Sequence, residues 1–96
     1  MAAIALSATT VRKIAPGPGE VQAWLVVTPA TADSGDTVDV SGTPVNIKDI
    51  KFLTVWDETS GDVVTATESA GVITIDTAGG TSNHTYGIYV IGYNPA

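Results

Sequence analysis

Apolar and polar residues alternate at period two through most of the 96-residue chain. Residues 4–14 carry Ile4, Leu6 and Ala8 in one phase, then Val11 and Ile14, so the phase slips near Thr9-Thr10 and predicts a bulge or kink. Residues 20–28 place Val21, Ala23, Leu25 and Val27 on one face and Gln22, Trp24, Val26 and Thr28 on the other. Both faces are largely apolar, as expected of a strand covered on both sides. Residues 36–41 alternate Val38 and Val40 with Thr37 and Asp39. Residues 50–58 set Ile50, Phe52, Thr54 and Trp56 against Lys51, Leu53, Val55 and Asp57. Residues 62–68 and 72–77 flank Ser69-Ala70-Gly71 and read as a hairpin. Residues 85–93 set Tyr86, Ile88 and Val90 against Gly87, Tyr89, Ile91 and Tyr93.

Turn signals separate these segments: Pro16-Gly17-Pro18-Gly19, Asp33-Ser34-Gly35-Asp36, Ser41-Gly42-Thr43-Pro44, Ser60-Gly61-Asp62 and Gly79-Gly80-Thr81-Ser82-Asn83. Each joins residues that reach positive φ with side chains that bond their own backbone. No helical period survives ten residues; the best candidate is a single turn over 45–51, started by Pro44. The expectation is an all-β chain: one small antiparallel β-sandwich or barrel domain over 1–96, of about seven strands with almost no helix. The expected core is Val21, Ala23, Leu25, Val27, Ile50, Phe52, Ile73, Ile75, Ile88 and Val90. Residues 1–14 form either a first strand or an N-terminal arm, uncoupled by the Pro/Gly break at 15–20, that adds to a neighbour's sheet.

Composition sharpens this picture. Charged residues are 15% of the chain against a usual value of about 25%. Threonine and small residues replace them, which makes a surface that costs little side-chain entropy to cover. Four basic residues against ten acidic ones, net −6, argue against nucleic acid, which needs cations to displace counterions. The absence of cysteine excludes disulfides and thiolate metal sites. No run approaches the ~18 apolar residues of a membrane span. The first apolar run precedes Arg12 and Lys13 rather than following a basic region, so no signal peptide is read and synthesis in the cytoplasm is expected.

Candidate chemistry is sparse. His84 is the sole histidine, and a catalytic triad would need a nucleophile and an acid such as Asp76 beside it. Asp33, Asp36 and Asp39 could hold an ion, but Asp33-Ser34-Gly35-Asp36 lacks the ligand set of a calcium loop and reads as an Asx turn. Asp57, Glu58, Asp62 and Glu68 read as solvated loop acids rather than a glycosidase pair. Neither an enzyme nor a cofactor is expected. Trp24 and Trp56, exposed together, would make a carbohydrate-stacking platform; such rings more often fill a core or anchor an interface. Trp24, Val26, Tyr89, Ile91 and Tyr93 form the candidate interface, an apolar outer stripe that a lone small domain rarely leaves wet.

The run Leu6–Ile14, the Gly/Pro break, Val21–Thr28, the turn leading into Ser34–Val40, and the Thr-rich alternating half Ile50–Tyr93 resemble the small structural proteins of tailed-phage virions, of the head-decoration or capsid-associated type. That resemblance implies a non-enzymatic coat component present in many copies. Its expected partners are itself, as a homo-oligomer and most simply a trimer, and the capsid lattice protein, with no nucleic acid and no membrane. Its expected location is the virion. The competing expectation is a carbohydrate-binding or adhesin-like β-sandwich.

Overall fold

The computed structural model describes residues 3–16, 21–42, 45–77, 79 and 82–93. Among these residues nine strands occur in chain order: β1 Ala3–Ile4, β2 Thr10–Pro16, β3 Gln22–Val27, β4 Thr37–Asp39, β5 Asp49–Asp57, β6 Val63–Val64, β7 Ala66–Ser69, β8 Val72–Ile75 and β9 Tyr86–Tyr93. They form a four-stranded sheet, β1-β4-β8-β7, and a five-stranded sheet, β2-β3-β9-β5-β6. All pairings are antiparallel except β1 with β4. The two sheets pack as a small all-β sandwich.

The strand count exceeds the expectation because two segments change sheets. The phase slip near Thr9 is a 3-10 turn, Leu6–Ala8, closed by Thr9 Oγ1 donating to the Leu6 carbonyl at 2.7 Å. It carries the chain from β1 in one sheet to β2 in the other. Thr65 does the same between β6 and β7. Residues 3–16 thus pair inside this chain: Ala3 and Ile4 with Thr37 and Val38, and β2 along β3 from Thr10 opposite Val27. Over 3–16 the segment expected as a first strand or arm pairs within this chain's own sheets, with β1 and β2 each standing at a sheet edge. Residues 17–20 of the Pro/Gly break and Pro44 lie outside the described residues. No helical turn forms over 45–51; Val45 and Ile47 instead plug the core as the chain enters β5.

The core lies between the sheets. Trp24, Val26, Val55, Tyr86, Ile88 and Val90 from the larger sheet meet Val38, Ile73 and Ile75 from the smaller one. Ile73, Ile75, Ile88 and Val90 are buried as expected, and Ile50 packs partly against them. Ala23 is buried as expected too, on the outer side beside Ile91. Four expected core residues need correction: Phe52 is 50% exposed, Val21 is exposed, and Leu25 and Val27 are half-buried on the outer side. The physical reason is that β3 is apolar on both faces. Its register sets Trp24 opposite Val90 and Val26 opposite Ile88, so those two turn inward and Leu25, opposite Tyr89, turns out. In β5, the same alternation sends Leu53, Val55 and Asp57 in and Phe52, Thr54 and Trp56 out.

Hairpin β7–β8 turns through Ala70 (φ 51°) and Gly71 (φ 89°), with Ser69 opposite Val72. Two consecutive positive φ values mark a type I′ turn, whose twist suits antiparallel strands. A Cβ on Gly71 would stand 2.6 Å from the Ile47 carbonyl oxygen, so that position also requires glycine for space.

Candidate functional site

The outer face of the five-stranded sheet carries three cross-strand rows of side chains. The central row runs Arg12, Leu25, Tyr89 and Thr54. On one side lie Val27, Gly87, Trp56 and Val63, and on the other Ala23, Ile91 and Phe52. Tyr93 extends the face toward the start of β5. Val63 is 77% exposed and Phe52 half exposed, while Leu25, Val27, Trp56, Tyr89, Ile91 and Tyr93 are half-buried by one another.

The rings are organised. Phe52 meets Tyr89 edge to face at 6.2 Å between centroids. Trp56 lies over Gly87, where a Cβ would reach within 2.3 Å of the indole. A strand glycine leaves its neighbour's ring room to lie flat. The Trp56 indole N–H donates to Glu58 Oε2 at 3.2 Å. Lys51 Nζ stands 5.4 Å from the Tyr93 ring centroid and bridges Asp49 at 3.3 Å.

This placement revises the candidate interface. Tyr89, Ile91 and Tyr93 do share the outer face. Trp24 and Val26 do not: Trp24 is 9% exposed, its indole donates to Gln22 Oε1 at 2.8 Å, and Val26 is fully buried. Leu25, Val27 and Phe52 take their place. Trp24 and Trp56 stand on opposite faces of one sheet, so they form no shared platform. Asp57, in the opposite phase to Phe52 and Trp56, hid their outward placement, since a carboxylate ordinarily marks the solvent side of a strand.

A second polar cluster closes one end of the sandwich. Asp57, 2% exposed, accepts the backbone N–H of Thr59 and Ser60 and meets His84 Nδ1 at 2.5 Å. Burial by itself pushes this carboxyl up. The His84 hydrogen bond, the Ser60 and Thr59 donors and the electrostatic pull of His84 outweigh it and hold the group below its ordinary value. An ionised carboxylate only accepts, so Nδ1 carries the proton. Around this pair, the His84 N–H bonds the Ala32 carbonyl and the Asn83 N–H bonds Asp33 Oδ1, while Thr59 Oγ1 accepts the Thr85 N–H. Three loops are thereby tied together. Asp57 stands where a triad acid would, rather than Asp76, which accepts from the Tyr86 hydroxyl at 3.0 Å. Among the described residues the ring of His84 is hydrogen-bonded to Asp57 and to no hydroxyl. The sequence separation of 27 between Asp57 and His84 hid this pair from sequence reading.

Asp33, Asp36 and Asp39 do not converge. Asp36 Oδ2 accepts the Asp33 N–H at 2.9 Å, and Asp39 Oδ1 accepts from Ser41 N and Oγ. These are turn bonds, and no cluster of three or more metal-binding side chains occurs among the described residues. A cleft of about 370 Å³ opens beside β1, lined by Ile4, Leu6, Thr37, Asp39 and Ser41. No helix among the described residues is long and apolar enough to cross a membrane.

No protein-family model, curated protein or solved structure matches this chain.

Proposed function

We propose that this chain is a non-enzymatic virion structural protein, a capsid decoration or capsid-associated component that docks through the outer face of its five-stranded sheet. The single observation that carries the proposal is that face: Leu25, Val27, Phe52, Trp56, Tyr89 and Ile91 in contiguous rows, with Val63 beside them. Strands about 4.8 Å apart, with same-face residues about 6.7 Å apart, give a patch on the order of 500 Å². That is at the upper end of what monomers expose, roughly 300–600 Å². It is below the ~800 Å² per partner of a standard stable interface. One copy therefore binds modestly. A homo-oligomer, a trimer in this proposal, presents several such faces to a repeating lattice and gains about 10²–10⁴ by avidity. The likeness to tailed-phage coat proteins supplies the partner, the capsid lattice protein, and the location, the assembled virion.

The test combines light scattering with co-sedimentation on undecorated capsids from the same genome. The expected result is an oligomeric mass and saturable capsid binding. The doubly substituted Phe52→Ser, Ile91→Ser protein keeps its circular dichroism spectrum and loses at least about tenfold in binding, since interface aromatics typically carry more than about 1.4 kcal/mol. Unchanged binding by that variant overturns the docking face. The alternative is a carbohydrate-binding module, favoured by the flat Trp56 ring over Gly87. Glycan binding by a monomer with no affinity for capsids would replace the capsid reading with it.

A further inference from the structure

The loops after β5 and before β9 are made of exposed and half-buried polar residues, Glu58–Asp62 and Ser82–Thr85. Polar bonds hold them, and these converge on Asp57. Its Oδ1 accepts the Thr59 and Ser60 N–H at 2.9 and 3.2 Å, and its Oδ2 meets His84 Nδ1. The His84 N–H reaches on to the Ala32 carbonyl in the loop after β3. The Glu58 N–H bonds the Thr85 carbonyl, and the Thr85 N–H bonds Thr59 Oγ1. Segments that bury little apolar surface open locally, at less cost than the core. The core side chains Ile73, Ile75, Ile88 and Val90 take no part in these bonds.

Both Asp57 oxygens face N–H donors. A proton added to this carboxyl sits on one of them, so a donor then meets a donor at a group only 2% exposed. Protonating His84 instead leaves Nδ1–H in place and adds a positive charge, which strengthens the bond. We infer that Asp57 is an acid-released latch: its protonation frees the loops around His84 while the two sheets stay packed, whereas protonation of His84 tightens them. Burial raises this carboxyl's pKa, but the His84 bond, the Ser60 and Thr59 donors and the charge of His84 hold it below 3.8. The latch is therefore complete above 3.8 and released as pH falls through the depressed value. The other titratable groups at this end are Glu58, bonded by the Trp56 indole, Asp62, and Asp33 and Asp36, which accept the Asn83 and Asp33 N–H. The Tyr86 ring lies 6.4 Å from that of His84, and its hydroxyl donates to Asp76. The latch stands independently of whatever docks on the outer face.

The test is an NMR titration of the full chain from about pH 7 to about pH 2, which spans the histidine and carboxylate ranges. The Asp57 carboxyl carbon, the His84 ring and the backbone amides are followed together, with amide exchange corrected for its intrinsic pH dependence. The Thr59, Ser60, His84 and Thr85 amides are expected to lose at least about tenfold in protection, the equilibrium equivalent of one buried donor left unpaired. The midpoint of that loss should coincide with the Asp57 carboxyl and lie below 3.8. The Ile88 and Val90 amides should keep their protection through it. In Asp57→Asn, whose side-chain oxygen still accepts N–H bonds and does not titrate, the loop amides should keep one level of protection across the acid range. Asp33→Asn, altered at the Asn83 amide, should retain the transition. Loop opening that follows the His84 ring, loss of loop and core amides together, or an acid transition that survives Asp57→Asn or disappears in Asp33→Asn overturns the inference.

Discussion

Truncating Phe52 and Ile88 separately tests which side of the larger sheet is the core. Ile88 is fully buried opposite Val26 and Val55, among tightly packed side chains. Ile88→Ala removes three carbons and leaves a cavity, at a cost of about 3–5 kcal/mol. Phe52 is half exposed, and its organised contact is the Tyr89 ring at 6.2 Å. Losing about half of a buried ring's transfer energy and an edge-to-face pair costs Phe52→Ala about 1–2 kcal/mol. A chain of this length has a total stability of roughly 5–14 kcal/mol. Ile88→Ala therefore approaches the limit of folding, and Ile88→Val, at about 0.5–1.5 kcal/mol, provides a milder point on the same scale. Urea unfolding is followed by the fluorescence of buried Trp24 and checked by circular dichroism. The Phe52→Ala midpoint should fall little, the Ile88→Ala midpoint far, with unchanged slope. In thermal melts, about 1 kcal/mol corresponds to roughly 4–8 °C. A Phe52→Ala loss equal to or above that of Ile88→Ala would refute the assignment of faces.

Ala70→Asn should stabilise the β7–β8 hairpin by about 1 kcal/mol, because Ala70 sits at positive φ where Asn is favoured, and a higher thermal midpoint checks it. Gly71→Ala should instead cost more than about 2 kcal/mol, since it adds left-handed strain to a clash with the Ile47 carbonyl, read by the same melt. The folded-state value of Asp57 lies below its ordinary 3.8, so its contribution is complete above 3.8 and is lost as pH falls through the depressed folded value. Asp57→Asn should flatten the stability–pH curve in that acid window and lower stability at neutral pH; an unchanged curve refutes the role given to the His84 pair. Gly87→Ala should displace the Trp56 ring, read as a red shift in its emission with little loss of stability.

The alternation in the chain was enough to place most of the strands and turns and to predict almost no helix, because backbone pleat imposes period two wherever one face is buried. It identified β9 in the correct phase, since Ile88 and Val90 oppose two tyrosines and a glycine that fit the outer side. In β3 it pointed the wrong way, setting Leu25 and Val27 inside and Trp24 and Val26 outside, because both sets are apolar enough to be inside. In β5 it also pointed the wrong way, setting Ile50 and Phe52 inward against Leu53 and Val55, a pair of comparable apolar character. Register decided both. Trp24 and Val26 oppose Val90 and Ile88, and once β9 is oriented every neighbour in the sheet follows. The inward Asp57 became tolerable only when His84 and two backbone amides reached it. Such long-range pairings cannot be read from spacing along the chain.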